Sequence, residues 1–142
     1  MDIFEALKDH HIDMLQLMNR VKEDPSLYEE LNLHLDIHHD LEEDILYREM
    51  QKKGGEAWGE ATEMMEEHQV LEFQLLTLAN FPGEHERWPV KLHVLEEYLE
   101  HHFEEEQDDV FEAGEEVIAA DEAEEMGRTF EEMKQQRLEC LG

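Results

Sequence analysis

Six of the ten histidines are followed four residues later by a glutamate: His38, His39, His68, His93, His101 and His102. With 40 Asp and Glu in 142 residues, about three such pairs are expected by chance, so helix register has to sort them. Residues three or four apart share a helix face. His102 follows Leu92, Leu95 and Leu99 on an apolar stripe, with Glu106 one turn on. His101 has Glu97, Tyr98, Glu104 and Glu105 around it. His38 lies among Leu31, Leu35, Leu41 and Ile45, with Glu42 one turn on, whereas His39 lies near Asp36, Glu42 and Glu43 and reads as solvent-facing. By the same test His11, amid Leu7, Met14, Leu15 and Met18, is preferred to His10, which has Asp13 three residues on but Leu17 seven on. His68 is the one histidine of its segment. His93, beside Glu96 and Glu97, and His85, in a loop pattern, read as surface residues.

The selected set is His11, His38, Glu42, His68, His102 and Glu106. Buried ionisable groups cost several kcal/mol unless something compensates them. A lone core histidine is satisfied by a hydrogen bond, but a group of this size needs a buried partner for every member. Metal ions meet that need together. Neutral imidazoles with carboxylates suit iron, manganese or zinc, and Glu42 and Glu106, from opposite halves of the chain, are placed to bridge two cations. Four imidazoles and two carboxylates do not fill two six-coordinate ions. Either further ligands exist or positions stay open for water, dioxygen or peroxide. The candidates for further ligands are Glu72, one turn after His68, and His34 and Tyr98, each one turn before a selected histidine.

These residues have to be carried on helices. Asp2 can start one that runs to about Glu23, where Asp24-Pro25 ends it. Ser26, with Glu29 as capping-box partner, opens a second that reaches Gly54-Gly55. Further helices are expected over about 56–79, then 89–114 with Pro89 in the first turn, and 121–139, with no strand pattern anywhere. The spacing predicts an all-α fold: an up-down-up-down antiparallel four-helix bundle with an additional C-terminal helix, as a single domain over residues 1–142. An internal repeat supports the symmetry. Leu31, Leu35, His38, Glu42, Leu46 and Tyr47 precede Leu95, Leu99, His102, Glu106, Val110 and Phe111 by 64 residues, and Leu7, His11, Met14 and Met18 match Met64, His68, Leu71 and Leu75.

A formal net charge of −29 disfavours nucleic acid and anionic membrane surfaces, both of which need clustered Lys and Arg. The single cysteine, Cys140, excludes an intrachain disulfide and a thiolate zinc site. It fits a reducing, cytoplasmic location. The N-terminal stretch shows no secretion signal and no run is long and apolar enough to span a membrane.

The order of these blocks resembles the hemerythrin-like family, also called the HHE cation-binding domain, in its bacterial-type branch. The resemblance rests on His11; on His38-His39-Asp40-Leu41-Glu42-Glu43 with Leu46-Tyr47; on Glu67-His68-Gln69; and on His102-Phe103-Glu104-Glu105-Glu106 with Val110-Phe111. It implies a non-heme diiron centre, two iron ions with an oxo or hydroxo bridge, spanned by Glu42 and Glu106. It also implies binding of dioxygen, peroxide or nitric oxide as a small-molecule ligand. Respiratory hemerythrins carry two histidines on the third helix, and here the second of those positions is Glu72. That departure points away from reversible oxygen carriage and towards redox or stress roles. Two functions share the site: oxygen binding, sensing or storage, and an enzyme of oxidative or nitrosative stress defence acting on peroxide or nitric oxide or in iron–sulfur repair. A ferritin-like oxidase uses Glu-x-x-His pairs, and no histidine here has a glutamate three residues before it. A passive metal store or a zinc-stabilised bundle is the remaining alternative.

Overall fold

A computed structural model describes residues 1–141. The chain forms α1 (Ile3–Glu23), α2 (Tyr28–Glu42), α3 (Arg48–Lys53), α4 (Gly55–Ala79), α5 (Trp88–Glu105), α6 (Phe111–Val117) and α7 (Ala120–Leu141). Single π-helical segments, Glu43–Tyr47 and Glu106–Val110, join α2 to α3 and α5 to α6. Each joined pair is therefore one long rod, and the four rods α1, α2–α3, α4 and α5–α6 make an antiparallel bundle. The fold is all-helical, with no strand among the described residues and no helix long and apolar enough to cross a membrane.

Local chemistry sets the ends. Asp2 caps α1: its side chain accepts the Glu5 backbone N–H at 2.9 Å, and the Glu5 carboxylate accepts that of Asp2. This reciprocal capping satisfies two donors that a helix start otherwise leaves free. Between α3 and α4 the chain reverses through Gly54 and Gly55, at φ +75° and +58°, a backbone region that L side chains avoid.

Two apolar clusters fill the bundle, one at each end. Phe4, Leu7, Leu41, Tyr47, Met64, Phe111 and Phe130 belong to one. Met14, Met18, Leu35, Leu71, Leu95, Leu99 and Phe103 belong to the other. The polar groups singled out in the sequence lie between them, at mid-helix. The fifth helix, α7, packs along α1 and α2 and brings Phe130 within 5.9 Å, ring centre to ring centre, of His10 and His38. Gly127 lies against the backbone of Met1 and Asp2, too close for a side chain. Covered by the bundle on one side and by α7 on the other, α1 and α2 bury more than one narrow stripe each.

Candidate metal centre

Each bundle helix delivers its polar groups from a mid-helix position held by flanking leucines and methionines. The apolar stripes on both sides fix which way the imidazoles point. The two glutamates sit where α2 and α5 give way to the π segments. A π turn inserts one residue into the helical repeat and re-aims the side chains around it, a distortion found often at functional sites.

His11, His38, Glu42, His68, His102 and Glu106 come together, each no more than about one per cent exposed. Their ligand atoms form two overlapping groups, His11–His38–Glu42–Glu106 and Glu42–His68–His102–Glu106. The carboxylates join them. Glu42 directs Oε2 to His38 Nε2 (3.4 Å) and Oε1 to His68 Nε2 (3.2 Å). Glu106 directs Oε1 to His11 Nε2 (2.9 Å) and Oε2 to His102 Nε2 (3.8 Å). Each carboxylate thus offers one oxygen to each group. Opposite each Nε2, the Nδ1 is engaged. His11 Nδ1 meets Gln107 Oε1 (2.8 Å), His38 Nδ1 meets His10 Nδ1 (2.9 Å), His68 Nδ1 meets Glu43 Oε2 (2.7 Å) and His102 Nδ1 meets Glu67 Oε1 (2.7 Å). Where the partner is an acceptor, the bond keeps the proton on Nδ1 and turns the Nε2 lone pair inward, the arrangement a metal-binding histidine needs.

Three features depart from the expectations. His39 does not face solvent. It is buried, stacks on His68 at 4.0 Å and forms a third group of ligand atoms with His68 and His102. Two of its acidic neighbours misled because they are not solvated: Glu43 turns inward to His68, and Glu42 is fully buried. The signal that favoured His39 was Leu35, four residues before it, which serves His38 and His39 alike. His10 is likewise buried, under α7, with Ile3, Ala6, Met14 and Leu17 at helical spacing. It supports His38 and passes a second contact to His34 Nδ1 at 3.0 Å. Glu72 is the opposite correction. It is exposed, because the buried line of α4 runs through His68, Leu71 and Leu75 and position 72 falls outside it. His34 and Tyr98 are half-buried and appear in none of the ligand groups. Tyr47, given no role in the site by the sequence, is fully buried and donates its hydroxyl to Glu106 Oε2.

The donor set fits metal ions. His11 Nε2, His38 Nε2, His68 Nε2, His102 Nε2, both nitrogens of His39, both oxygens of Glu42 and Glu106 Oε1 are buried without a properly aligned hydrogen-bond partner in the protein. So many orphaned donors and acceptors in one place contradict the rule that buried polar groups are paired, unless cations take their lone pairs. Titration points the same way. Burial holds His38 and His39 well below the usual imidazole range, so both are neutral. Burial also opposes protonation of His68, but Glu42 and Glu43 outweigh it and push the pKa up to about 10. For His11, Glu106 outweighs burial in the same direction. Burial works to raise Glu42, yet His68 and its other partners bring it below its ordinary value. A proton on His68 therefore balances the buried carboxylates, and a cation competes for that role.

Comparison with known proteins agrees with this geometry. The family model described as the hemerythrin HHE cation binding domain matches residues 2–114. The fold is similar to the crystal structure of a hemerythrin HHE cation binding domain-containing protein from Mycobacterium kansasii, with a TM-score of 0.85 and 28% sequence identity. The alignment covers 99% of this chain and 90% of that one. No curated protein matches the chain.

Proposed function

Since the chain belongs to the hemerythrin HHE cation-binding family, we propose that it is a non-heme diiron protein that binds dioxygen or a related small molecule. The observation that carries this reading is the split of Glu42 and Glu106, each with one oxygen toward each group of imidazoles. One iron would be held by His39, His68 and His102, the other by His11 and His38, with Glu42 and Glu106 shared. Bound there, two irons supply reversible or two-electron redox chemistry toward oxygen species. The protein's own residues set the conditions for it. Phe103 stacks on His11 at 4.0 Å and walls the two-histidine side with an apolar ring, suiting an uncharged diatomic ligand. The leucines and methionines of both clusters exclude bulk water. His39 also supplies from α2 the extra imidazole that the respiratory proteins place on the third helix, so Glu72 no longer counts against oxygen binding.

One observation favours a second reading, an enzyme of oxidative stress defence. The Tyr47 hydroxyl touches Glu106 inside the site, and burial, followed by the Glu106 charge, raises its pKa well above the phenol range. It therefore keeps its proton and would act as a fixed hydrogen-bond donor that orients a peroxide held in the site. The exposed thiol of Cys140 suits the reducing cytoplasm in either case. Spectra of the iron-loaded protein separate the readings. A visible charge-transfer band that appears in air and reverses on removal of oxygen supports binding. Oxygen evolution from added peroxide, lost in Tyr47→Phe with iron content unchanged, supports the enzyme. If neither occurs and the protein takes up no iron, the proposal fails.

A further inference from the structure

The two halves of the chain duplicate their frame but not the surroundings of the metal centre. His38 and His102 are equivalent in the 64-residue repeat, as are Glu42 and Glu106. At the same offset His39 corresponds to Phe103, and Glu43 to Gln107. Between α1 and α4, His11 corresponds to His68 and His10 to Glu67. Each equivalent pair does the same task on opposite sides. Glu43 engages His68 Nδ1 at 2.7 Å while Gln107 engages His11 Nδ1 at 2.8 Å. Glu67 engages His102 Nδ1 at 2.7 Å while His10 engages His38 Nδ1 at 2.9 Å. His39 stacks on His68 where Phe103 stacks on His11, both at 4.0 Å.

All three differences favour one side. The group around His68 has a third imidazole, and carboxylates support two of its rings. The group around His11 has a phenyl ring in place of that imidazole, and its two rings are supported by the Gln107 amide and by the His10 imidazole instead of carboxylates. A carboxylate bonded to the outer N–H of an imidazole raises the basicity of the inner nitrogen and fixes the ring, whereas an amide oxygen does so more weakly.

From this asymmetry we propose that the two positions are unequal by construction: the one formed by His39, His68 and His102 takes its ion first and retains it, while the one formed by His11 and His38 binds second and exchanges. Glu43 and Glu67 are the positioning residues that set the order, and Gln107 keeps the second position weak. The inference rests on the proposed two-metal centre and deepens it.

Anaerobic titration of the metal-free protein with Co(II), followed by visible absorption and calorimetry, tests it through affinities alone. Two resolved steps are expected. Glu67→Gln or Glu43→Gln should weaken the first step by roughly 10–100-fold, the range for a lost outer partner of a metal-bound histidine, and leave the second almost unchanged. Gln107→Glu gives the second half the residue of the first and should tighten the second step, drawing the two affinities together. Circular dichroism confirms that each variant is folded. Two ions bound in wild type at one shared affinity would overturn the inference and leave the two-metal centre standing. So would Glu67→Gln weakening both steps equally, or Gln107→Glu leaving the second step unmoved. Uptake of fewer than two ions by the wild type would instead overturn the proposed function beneath it.

Discussion

Replacing His39 with leucine should stabilise the metal-free protein and weaken the metal-bound one. His39 is 3% exposed, burial keeps it neutral, and both ring nitrogens lack a partner in the protein. A buried polar group without a partner costs about 1–3 kcal/mol, and the neutral ring carries one N–H and one bare nitrogen. Leucine has nearly the same volume, so repacking against His68 costs under about 1.5 kcal/mol. Two such groups less the repacking give a net gain of about 0.5–6 kcal/mol, which at ~3 °C per kcal/mol for a chain of this size raises Tm by roughly 2–18 °C. With metal present the order reverses. A ligand that binds only the folded state stabilises it according to its affinity, and the variant has lost one donor. Thermal unfolding of both proteins, with chelator and then with saturating iron, provides the four values needed. A metal-free His39→Leu protein less stable than wild type would refute the reasoning, since it would make His39 a packing residue whose stacking on His68 is worth more than its unpaired nitrogens cost.

Further perturbations probe other parts of the account. The advantage of metal-free His39→Leu should widen as pH falls from 7 to 5. The folded wild type keeps His39 neutral while the unfolded chain protonates it near 6.5, so stability is present above that value and lost below it, by up to about 1.4 kcal/mol per pH unit; parallel pH profiles would contradict this. Glu42→Gln or Glu106→Gln should release both metals, because each carboxylate serves both groups, whereas His11→Ala should release one; elemental analysis after dialysis distinguishes these outcomes. Gly127→Ala should destabilise by about 1–3 kcal/mol through overlap with the Met1–Asp2 backbone, read by urea unfolding, and an unchanged midpoint would place α7 further from α1.

Much of this organisation was legible from spacing. The helices, their breaks at Asp24-Pro25 and Gly54-Gly55, and the two halves follow from hydrophobic period and turn chemistry. So does the convergence of His11, His38, Glu42, His68, His102 and Glu106. The two misplaced histidines, His10 and His39, share one cause. A single-stripe reading assumes that each helix buries one face, but α7 covers the far side of α1 and α2: Phe130 closes over His10 and His38, while His39 faces His68 and His102 inside the bundle. Acidic neighbours suggest solvent around His39, yet Glu43 turns inward to hold His68. Glu72 has the right spacing from His68, but its neighbours place it outside the line through Leu71 and Leu75. The π segments leave no clear trace in composition, and they change which side chains follow Glu42 and Glu106 into the core.

The central claim is that two irons share Glu42 and Glu106. Iron content and electron paramagnetic resonance of the oxidised, iron-loaded protein test it together. The account predicts two irons per chain and no signal from isolated high-spin ferric ions, because ions bridged by shared ligands couple their spins. One iron per chain, or two with the full signal of uncoupled ferric ions, would contradict it.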